Sequence, residues 1–156
     1  MQQQFEDDRV SYILDRIRKA MEQAVKLDPH HAPALLGLAK YYSTAAPGHT
    51  PNFKTAEDYA RRAAESDPFQ GELELGRLDL NRLRVADALV HFEKAVQVRP
   101  DDPMGQYLAA ATLIRLERKD EARARLQEIV RRHPDFKDAP EALLSLDAKP
   151  ADKPGP

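Results

Sequence analysis

Four prolines, each following a long helical pattern, recur along the chain at nearly regular intervals. Pro29, Pro68, Pro100 and Pro134 are separated by 39, 32 and 34 residues. Proline lacks a backbone N–H and disfavours the α conformation in the residue before it, so it ends a helix. A period of this length is typical of arrays in which each unit is one supersecondary element stacked on the next.

Three columns of small or apolar residues precede these prolines, at five, eight and twelve residues before each of them. Residues with these spacings share one face of an α-helix. Each unit is therefore predicted to end in a helix with a narrow apolar stripe. The columns are Ala24, Ala63, Ala95 and Ile129; Met21, Ala60, Phe92 and Leu126; and Ile17, Ala56, Ala88 and Ala122.

A preceding helix is predicted in each of the later units. Gly76 and Ala110 each lie twelve residues before the alanine of the helix that follows, and residues this small let two helix backbones approach closely. Ala39 fits the same column if the loop at residues 43–53 is five residues longer, and two prolines and a glycine mark that loop.

The pattern as a whole predicts an all-α fold with no sustained strand alternation. Asp102 before Pro103 supplies a side-chain acceptor and a first-turn proline, the usual signals of a helix start. A single helical domain is expected over residues 1–146, and residues 147–156 are expected to be disordered because they hold too few apolar side chains to offset the entropy of ordering. Helices are predicted near residues 6–27, 32–44, 54–66, 70–81, 85–98, 103–117, 120–133 and 138–146.

These columns resemble the tetratricopeptide repeat family, a 34-residue helix–turn–helix motif with small residues at helix contacts and proline near the repeat end. The resemblance extends from Ile17 to Pro134, with a partial further unit through Leu146. It implies a right-handed superhelix of about three and a half repeats with capping helices at its ends. It also implies a non-catalytic scaffold or adaptor. The aromatic residue usual early in the first helix of the family is replaced by Leu35, Glu72 and Gln106.

In this family the inner surface is lined from the second, fifth, sixth, ninth, twelfth and thirteenth places of each repeat. The resemblance therefore implies a set of peptide-binding candidates in the concave groove. Leu36 and Leu73 at fifth places and Ala111 at a ninth place depart from the family's carboxylate clamp, which disfavours a chaperone's terminal carboxylate as ligand. The candidates are Lys40, Leu73, Glu74, Arg77, Asn81, Met104, Tyr107, Leu108, Ala111, Ile114 and Arg115.

Two chemical features of this lining indicate the kind of partner. Lys40, Arg77 and Arg115 recur on one side and can receive carboxylates by charge-assisted hydrogen bonds. An apolar floor is expected at the carboxyl-terminal end. A protein or peptide with acidic and hydrophobic residues fits both features, unless the apolar groups only pack between repeats and the cations are only solvated. The floor consists of Met104, Tyr107, Leu108 and Ile114.

The first helix carries a continuous apolar stripe although its phase makes it the second helix of a repeat. Three explanations stay open: the chain is part of a longer array, the helix caps the next repeat, or it pairs with another chain. The alternative function is thus a structural self-assembly domain, a homo-oligomer joined through its terminal helices. The stripe consists of Val10, Ile13, Leu14, Ile17, Met21, Ala24 and Val25.

Composition and charge exclude several classes of protein. The chain has no cysteine, which excludes disulfides and thiolate zinc sites. With 24 Lys+Arg against 26 Asp+Glu it is not a general nucleic-acid binder, and the basic stretch 115–133 lacks the interleaved aromatic residues that stack on bases. No apolar run approaches the roughly 20 residues that membrane insertion requires. The amino terminus lacks a secretory pattern, so a cytoplasmic location is expected.

No motif for catalysis, a cofactor or a metal is recognisable in the sequence. The nearest approach to a metal cluster is His30 and His31 beside Asp28, and the polarity of a helix–helix loop explains these residues better. The serines lack a nucleophile-elbow context and there is no glycine-rich phosphate loop. We therefore expect a protein without enzymatic activity, cofactor or metal.

Overall fold

The computed structural model describes residues 2–46 and 49–147. Within these residues the chain forms eight α-helices and no β-strand, apart from one isolated bridge between Ala46 and His49. The predicted all-α class is confirmed. The helices are α1 (Gln2–Leu27), α2 (Ala32–Ser43), α3 (Phe53–Ser66), α4 (Pro68–Asn81), α5 (Val85–Val98), α6 (Pro103–Arg115), α7 (Lys119–Arg132) and α8 (Asp138–Asp147).

Side-chain caps explain where the helices begin. The Asp102 carboxylate accepts a hydrogen bond from the N–H of Met104 at 2.9 Å, as predicted. Asp67 does the same for the N–H of Gln70 at 3.2 Å, so α4 begins at Pro68, two residues earlier than predicted. An aspartate followed by proline therefore opens both helices.

Two predicted ends of helices need correction. Helix α3 begins at Phe53, one residue before the predicted start, and the side chain of Asn52 accepts from the N–H of Thr55 at 3.1 Å. Helix α8 includes Asp147, the first residue of the predicted disordered tail, and residues 148–156 of that tail lie outside the described residues.

Two three-residue turns join α4 to α5 and α6 to α7, and both use a left-handed residue. Leu83 has φ 60° and Glu117 has φ 59°. The two residues are one repeat length apart, so the same backbone reversal is made at the same phase of each unit. This conformation at Glu117 ends α6 at Arg115, two residues before the predicted end.

The small-residue columns form the contacts between helices. Ala56, Ala88 and Ala122 are fully buried, as expected from their spacing. A Cβ added to Gly76 would lie 2.4 Å from Cε1 of Phe92, so α4 and α5 approach as closely as a missing side chain allows. The packing is close to that of a protein core, and a methyl group has no room there.

Each helix packs against the next one along the chain, and two contacts skip a helix: α2 against α4, and α6 against α8. We call α2, α4, α6 and α8 the first helices and α1, α3, α5 and α7 the second helices. Side chains from α2, α4 and α6 can therefore meet on one surface. None of the described helices is both long enough and apolar enough to cross a bilayer.

Helix α1 caps the array only in part. Its Met21 packs against α2, where a Cβ on Gly37 would lie 2.2 Å from the Met21 sulfur. Further toward the amino terminus the apolar stripe stays largely in solvent, since Val10 is 43% exposed, Ile13 51% and Ile17 48%. Capping by the next repeat therefore accounts for one half of the stripe and not for the other.

Candidate functional site

One polar cleft of about 320 Å³ lies on the side of the array formed by α2, α4 and α6. It brings together side chains that are up to 75 residues apart in the sequence, from Lys40 to Arg115. Several of the predicted groove residues meet here. The lining consists of Lys40, Ser43, Thr44, Glu74, Arg77, Leu80, Asn81 and Arg115.

The repeat register explains why these side chains converge. Lys40 and Arg77 occupy the ninth place of successive first helices, and Arg115 occupies the thirteenth place of the next one. Positions four apart lie one above the other on one helix face, so the ninth and thirteenth places point to the same side. Neighbouring first helices then put their cations side by side.

The cations of the cleft are largely unpaired. Within the described part of the chain, Lys40 and Arg115 make no ion pair, and both are exposed. Arg77 has only a loose contact with Glu74, from Nη1 to Oε2 at 3.6 Å. Three positive charges therefore face one carboxylate, and the cleft can attract an anionic group.

Glu74 is the one buried acid of the cleft. It is 3% exposed, and its Oε2 has no hydrogen-bond partner among the described residues. Burial raises the pKa of this carboxyl, an effect that the nearby charges of Arg77 and Lys40 oppose. The carboxylate is therefore held in the cleft at a cost in desolvation.

The structure corrects the prediction for Leu73. This side chain is 1% exposed and packs in the core with Phe69 and Phe92, so it offers no surface to a ligand. The fifth place of α4 is directed into the helix packing rather than toward the groove. The neighbouring sixth place, at Glu74, reaches the cleft instead.

The predicted apolar floor at the carboxyl-terminal end is mostly occupied by the protein itself. The Tyr107 ring packs on Phe136, which precedes α8, with 5.5 Å between centroids. Burial raises the pKa of Tyr107, with a smaller contribution from Asp138 and Glu141. This end of the surface is closed by α8 and the segment before it.

The other floor residues do not form a free surface beside the cleft. Leu108 and Ile114 are partly buried against the hydrophobic core. Ala111 is partly buried on the same helix, α6. Met104 is 37% exposed but lies in the first turn of α6, about 16 Å along the helix from Arg115 at 1.5 Å per residue.

An apolar cleft that the sequence analysis missed lies between α1 and α2, with a volume of about 290 Å³. It adjoins the polar cleft, because Lys40 and Thr44 line both. The available signal was Gly37 at the sixth place of α2, beneath the apolar stripe of the preceding helix. The remaining lining residues are Leu14, Ile17, Met21, Gly37, Tyr41, Ala46 and His49.

A polar network between α4 and α5 was also missed. Asp79, 3% exposed, contacts Arg84, and the Nδ1 of His91 donates a hydrogen bond to Glu72 Oε2 at 2.6 Å. The signal was an aspartate at the eleventh place, where the other repeats have Tyr42 and Leu113. Its charges of opposite sign face one another, so the network joins the two helices.

The histidine pair and the basic stretch have structural roles. His31 caps α2, since its Nδ1 accepts from the N–H of Ala34 at 3.2 Å. No group of potential metal ligands is found in the part of the chain described. Arg125 pairs with Glu93 at 2.9 Å, and further pairs within or next to α7 neutralise much of the basic stretch.

Comparisons with known proteins agree with this architecture. A family model described as tetratricopeptide repeat matches residues 84–146. The crystal structure of MamA has the same fold with a TM-score of 0.67, at 16% sequence identity, over 88% of this chain and 79% of that chain. No curated protein matches the sequence. Residues 84–146 are therefore similar to tetratricopeptide repeats, and the chain shares the fold of MamA, which confirms the resemblance found in the sequence.

Proposed function

We propose that the chain is a non-catalytic adaptor that holds an acidic and hydrophobic segment of a partner protein in the groove formed by α2, α4 and α6. The observation that carries this proposal is the convergence of Lys40, Arg77 and Arg115 on one cleft. Protein interaction is the general role of tetratricopeptide repeats, and the chemistry of this cleft favours carboxylates. The cytoplasmic location expected from the sequence is part of the proposal.

The charge balance supports an acidic ligand. Two of the three cations lack an ion pair within the described residues, so a ligand carboxylate does not need to displace an existing partner. Hydrogen bonds between charged groups contribute about 1.5 to 3 kcal/mol each. Nucleic acid is a weaker candidate, because the basic stretch around α7 is paired and carries no aromatic residue for base stacking.

A displayed library of random twelve-residue peptides, selected against the full chain, tests this function. We expect the selected peptides to be rich in Asp and Glu. Arg77→Glu should weaken their binding by about tenfold or more, since it removes one charged contact and adds a repulsion. Circular dichroism should show the same helix content in the variant.

Arg131→Glu is the matched control because it changes the net charge equally. Arg131 is 71% exposed on α7 and pairs with Glu128, outside the cleft. Its replacement should leave peptide binding within about twofold of the original. Equal losses in the two variants, or selected peptides without acidic residues, would contradict the proposed function.

A second candidate function, self-assembly through the terminal helices, is favoured by apolar side chains left exposed at both ends. Ile13 and Ile17 are about half exposed on α1, and Leu144 is 73% exposed on α8. Leu144 stands one repeat length after Ala110, at the place where a first helix faces its second helix. In this assembly α8 of one copy packs on α1 of the next, completing a repeat between them.

Mixing two variants tests this arrangement by sedimentation velocity. Ile17→Glu should block the α1 surface and Leu144→Glu the α8 surface, so each variant alone should be monomeric. An equimolar mixture retains one good surface of each kind and should form a dimer and nothing larger. A wild-type chain that stays monomeric at all concentrations, or a mixture that does not dimerise, would rule out this assembly.

A further inference from the structure

The apolar cleft between α1 and α2 is an open cavity that borders the polar cleft of the groove. Its walls are side chains of Leu14, Ile17 and Met21 from α1 and Tyr41 from α2. Ligand sites typically combine an apolar cavity with a few polar groups that set orientation. Lys40 and Thr44 stand at its border with the polar cleft and supply such groups.

Because the sixth place of α2 has no side chain, the Met21 side chain of α1 reaches down to the α2 backbone and forms one wall of the cavity. Gly37 stands where Glu74 and Leu108 stand in the next repeats. The Met21 sulfur lies above it, at 2.2 Å from the position of an added Cβ. Met21 is unbranched and can change rotamer, so this wall can adapt to the shape of an incoming side chain.

At the opposite end of the groove, the described apolar side chains pack on one another. There Tyr107 packs on Phe136, and Leu108 and Ile114 pack against the core. A ligand with both hydrophobic and acidic residues can thus bury its hydrophobic part beside the cations at the amino-terminal end. The apolar site of the groove therefore lies at its amino-terminal end, whereas the sequence predicts an apolar floor at the carboxyl-terminal end.

We propose that the cleft between α1 and α2 is the anchor site of the groove, which takes one leucine or aromatic side chain of a partner peptide whose carboxylates lie at Lys40, Arg77 and Arg115. Because Lys40 lines both clefts, the anchor and the first carboxylate lie close together in the sequence of the ligand. The inference rests on the proposed function and makes α1 one wall of the binding site.

Methyl NMR of the full chain can locate the anchor directly. The chain has three methionines, Met1, Met21 and Met104. Met21 lines the apolar cleft, whereas Met104 belongs to the floor predicted at the other end. With ¹³C-methyl methionine, assigned by Met→Leu variants, titration with an acidic peptide from the displayed library should shift the Met21 signal and leave the Met104 signal in place.

A variant pair measures the contribution of the cleft. Leu14→Gln changes a wall of the cavity, and Tyr12→Gln is the control on the same helix, 64% exposed and outside the cavity. The first should weaken peptide binding by about tenfold, since burying one apolar side chain is worth that or more. The second should leave binding unchanged. Replacing the anchor residue of the peptide by alanine should weaken binding to the wild-type chain about tenfold. The same peptide change should weaken binding to Leu14→Gln only slightly, because that variant has already lost the interaction.

The outcomes separate the anchor site from the function on which it rests. A shift of Met104 without Met21, or a neutral Leu14→Gln, overturns the anchor site while Arg77-dependent binding of acidic peptides still supports the adaptor. Loss of that Arg77 dependence overturns both. A Met21 signal that moves with protein concentration alone shows a second copy in the cleft and also overturns the proposal. If Leu14→Gln unfolds, the methyl titration of the wild-type chain still decides.

Discussion

Helices α1 and α5 occupy the same phase of the repeat but differ in burial. Phe92 and Ala88 of α5 are fully buried, whereas their counterparts Met21 and Ile17 on α1 are partly buried and 48% exposed. Helix α5 lies between α4 and α6, while α1 packs against α2. The same column of residues therefore gives a core in one place and an accessible surface in the other, because burial depends on the neighbouring helices.

Truncation of the matched pair Phe92 and Met21 is the strongest test of this comparison. Phe92→Ala should destabilise the protein by about 3 to 5 kcal/mol, the range for a large buried aromatic side chain. Met21→Ala should cost only about 1 kcal/mol, because less apolar area leaves water when α1 folds. Urea unfolding followed by circular dichroism measures both, and similar losses would show that α1 is as well packed as α5.

Glycine-to-alanine substitutions at two positions test the same difference by adding a methyl group instead of removing a side chain. Gly76→Ala places a Cβ 2.4 Å from the Phe92 ring, which is held by the core, and should cost about 1 to 3 kcal/mol. Gly37→Ala meets the end of the flexible Met21 side chain, which can move toward solvent. We expect a change of less than about 1 kcal/mol there, since alanine also favours the helix.

Thermal unfolding of the two glycine variants provides the measurement, and it should be read together with peptide binding. Gly37→Ala displaces Met21, which lines the apolar cleft, so it should weaken an anchored peptide even where stability is unchanged. A loss of stability at Gly37 equal to that at Gly76 would mean that the wall formed by Met21 is rigid.

A buried and an exposed carboxylate should contribute to folding stability with opposite dependence on pH. Burial raises the pKa of Glu74 above its ordinary value of 4.5, so folding disfavours the charged form. Its contribution to stability is full below pH 4.5 and is lost as the pH rises through the folded-state pKa. Glu74→Gln should therefore stabilise the protein by about 1 kcal/mol at pH 7, with no gain at pH 4.

Glu128→Gln is the comparison for Glu74→Gln. The Arg131 side chain lowers the pKa of the exposed Glu128 through a hydrogen bond, with smaller contributions from Arg131 and Arg132 charges. Its stabilising effect is present at neutral pH and is lost as the pH falls through the lowered pKa. Melting temperatures measured between pH 4 and pH 7 check both variants. At pH 7, the melting temperature should be higher than that of the wild type for Glu74→Gln and slightly lower for Glu128→Gln. A fall for both would contradict the assignment of Glu74 as an unfavourably buried acid.

The smallest change in stability is expected at Leu83, in the turn between α4 and α5. This residue is 85% exposed and has φ 60°, a conformation that costs most side chains about 1 to 2 kcal/mol. Leu83→Gly should relieve that cost but make the unfolded chain more flexible, for a net gain of about 0.5 kcal/mol. Val90→Gly, at an exposed position inside α5, should instead lose about 1 kcal/mol. A loss at Leu83 would show that the turn is not strained.

Much of the helical architecture could be predicted because it depends on local signals. Asp102 with Pro103 marks the start of α6, and the alanine columns mark the helix contacts. The lining of the groove was harder to predict. Register correctly grouped Lys40, Arg77 and Arg115 but could not show that Leu73 is buried, since successive places on a helix differ in direction by only a fraction of a turn.

The sequence by itself determined the phase of the array, through prolines and small residues that repeat at fixed intervals along the chain. Only the tertiary structure decided which side chains are covered by other parts of the chain. Phe136 covers Tyr107 at one end, while Gly37 and Met21 leave a cavity at the other. The physical reason is that helix formation depends on near neighbours in the chain, whereas burial depends on the surfaces that other helices bring into contact.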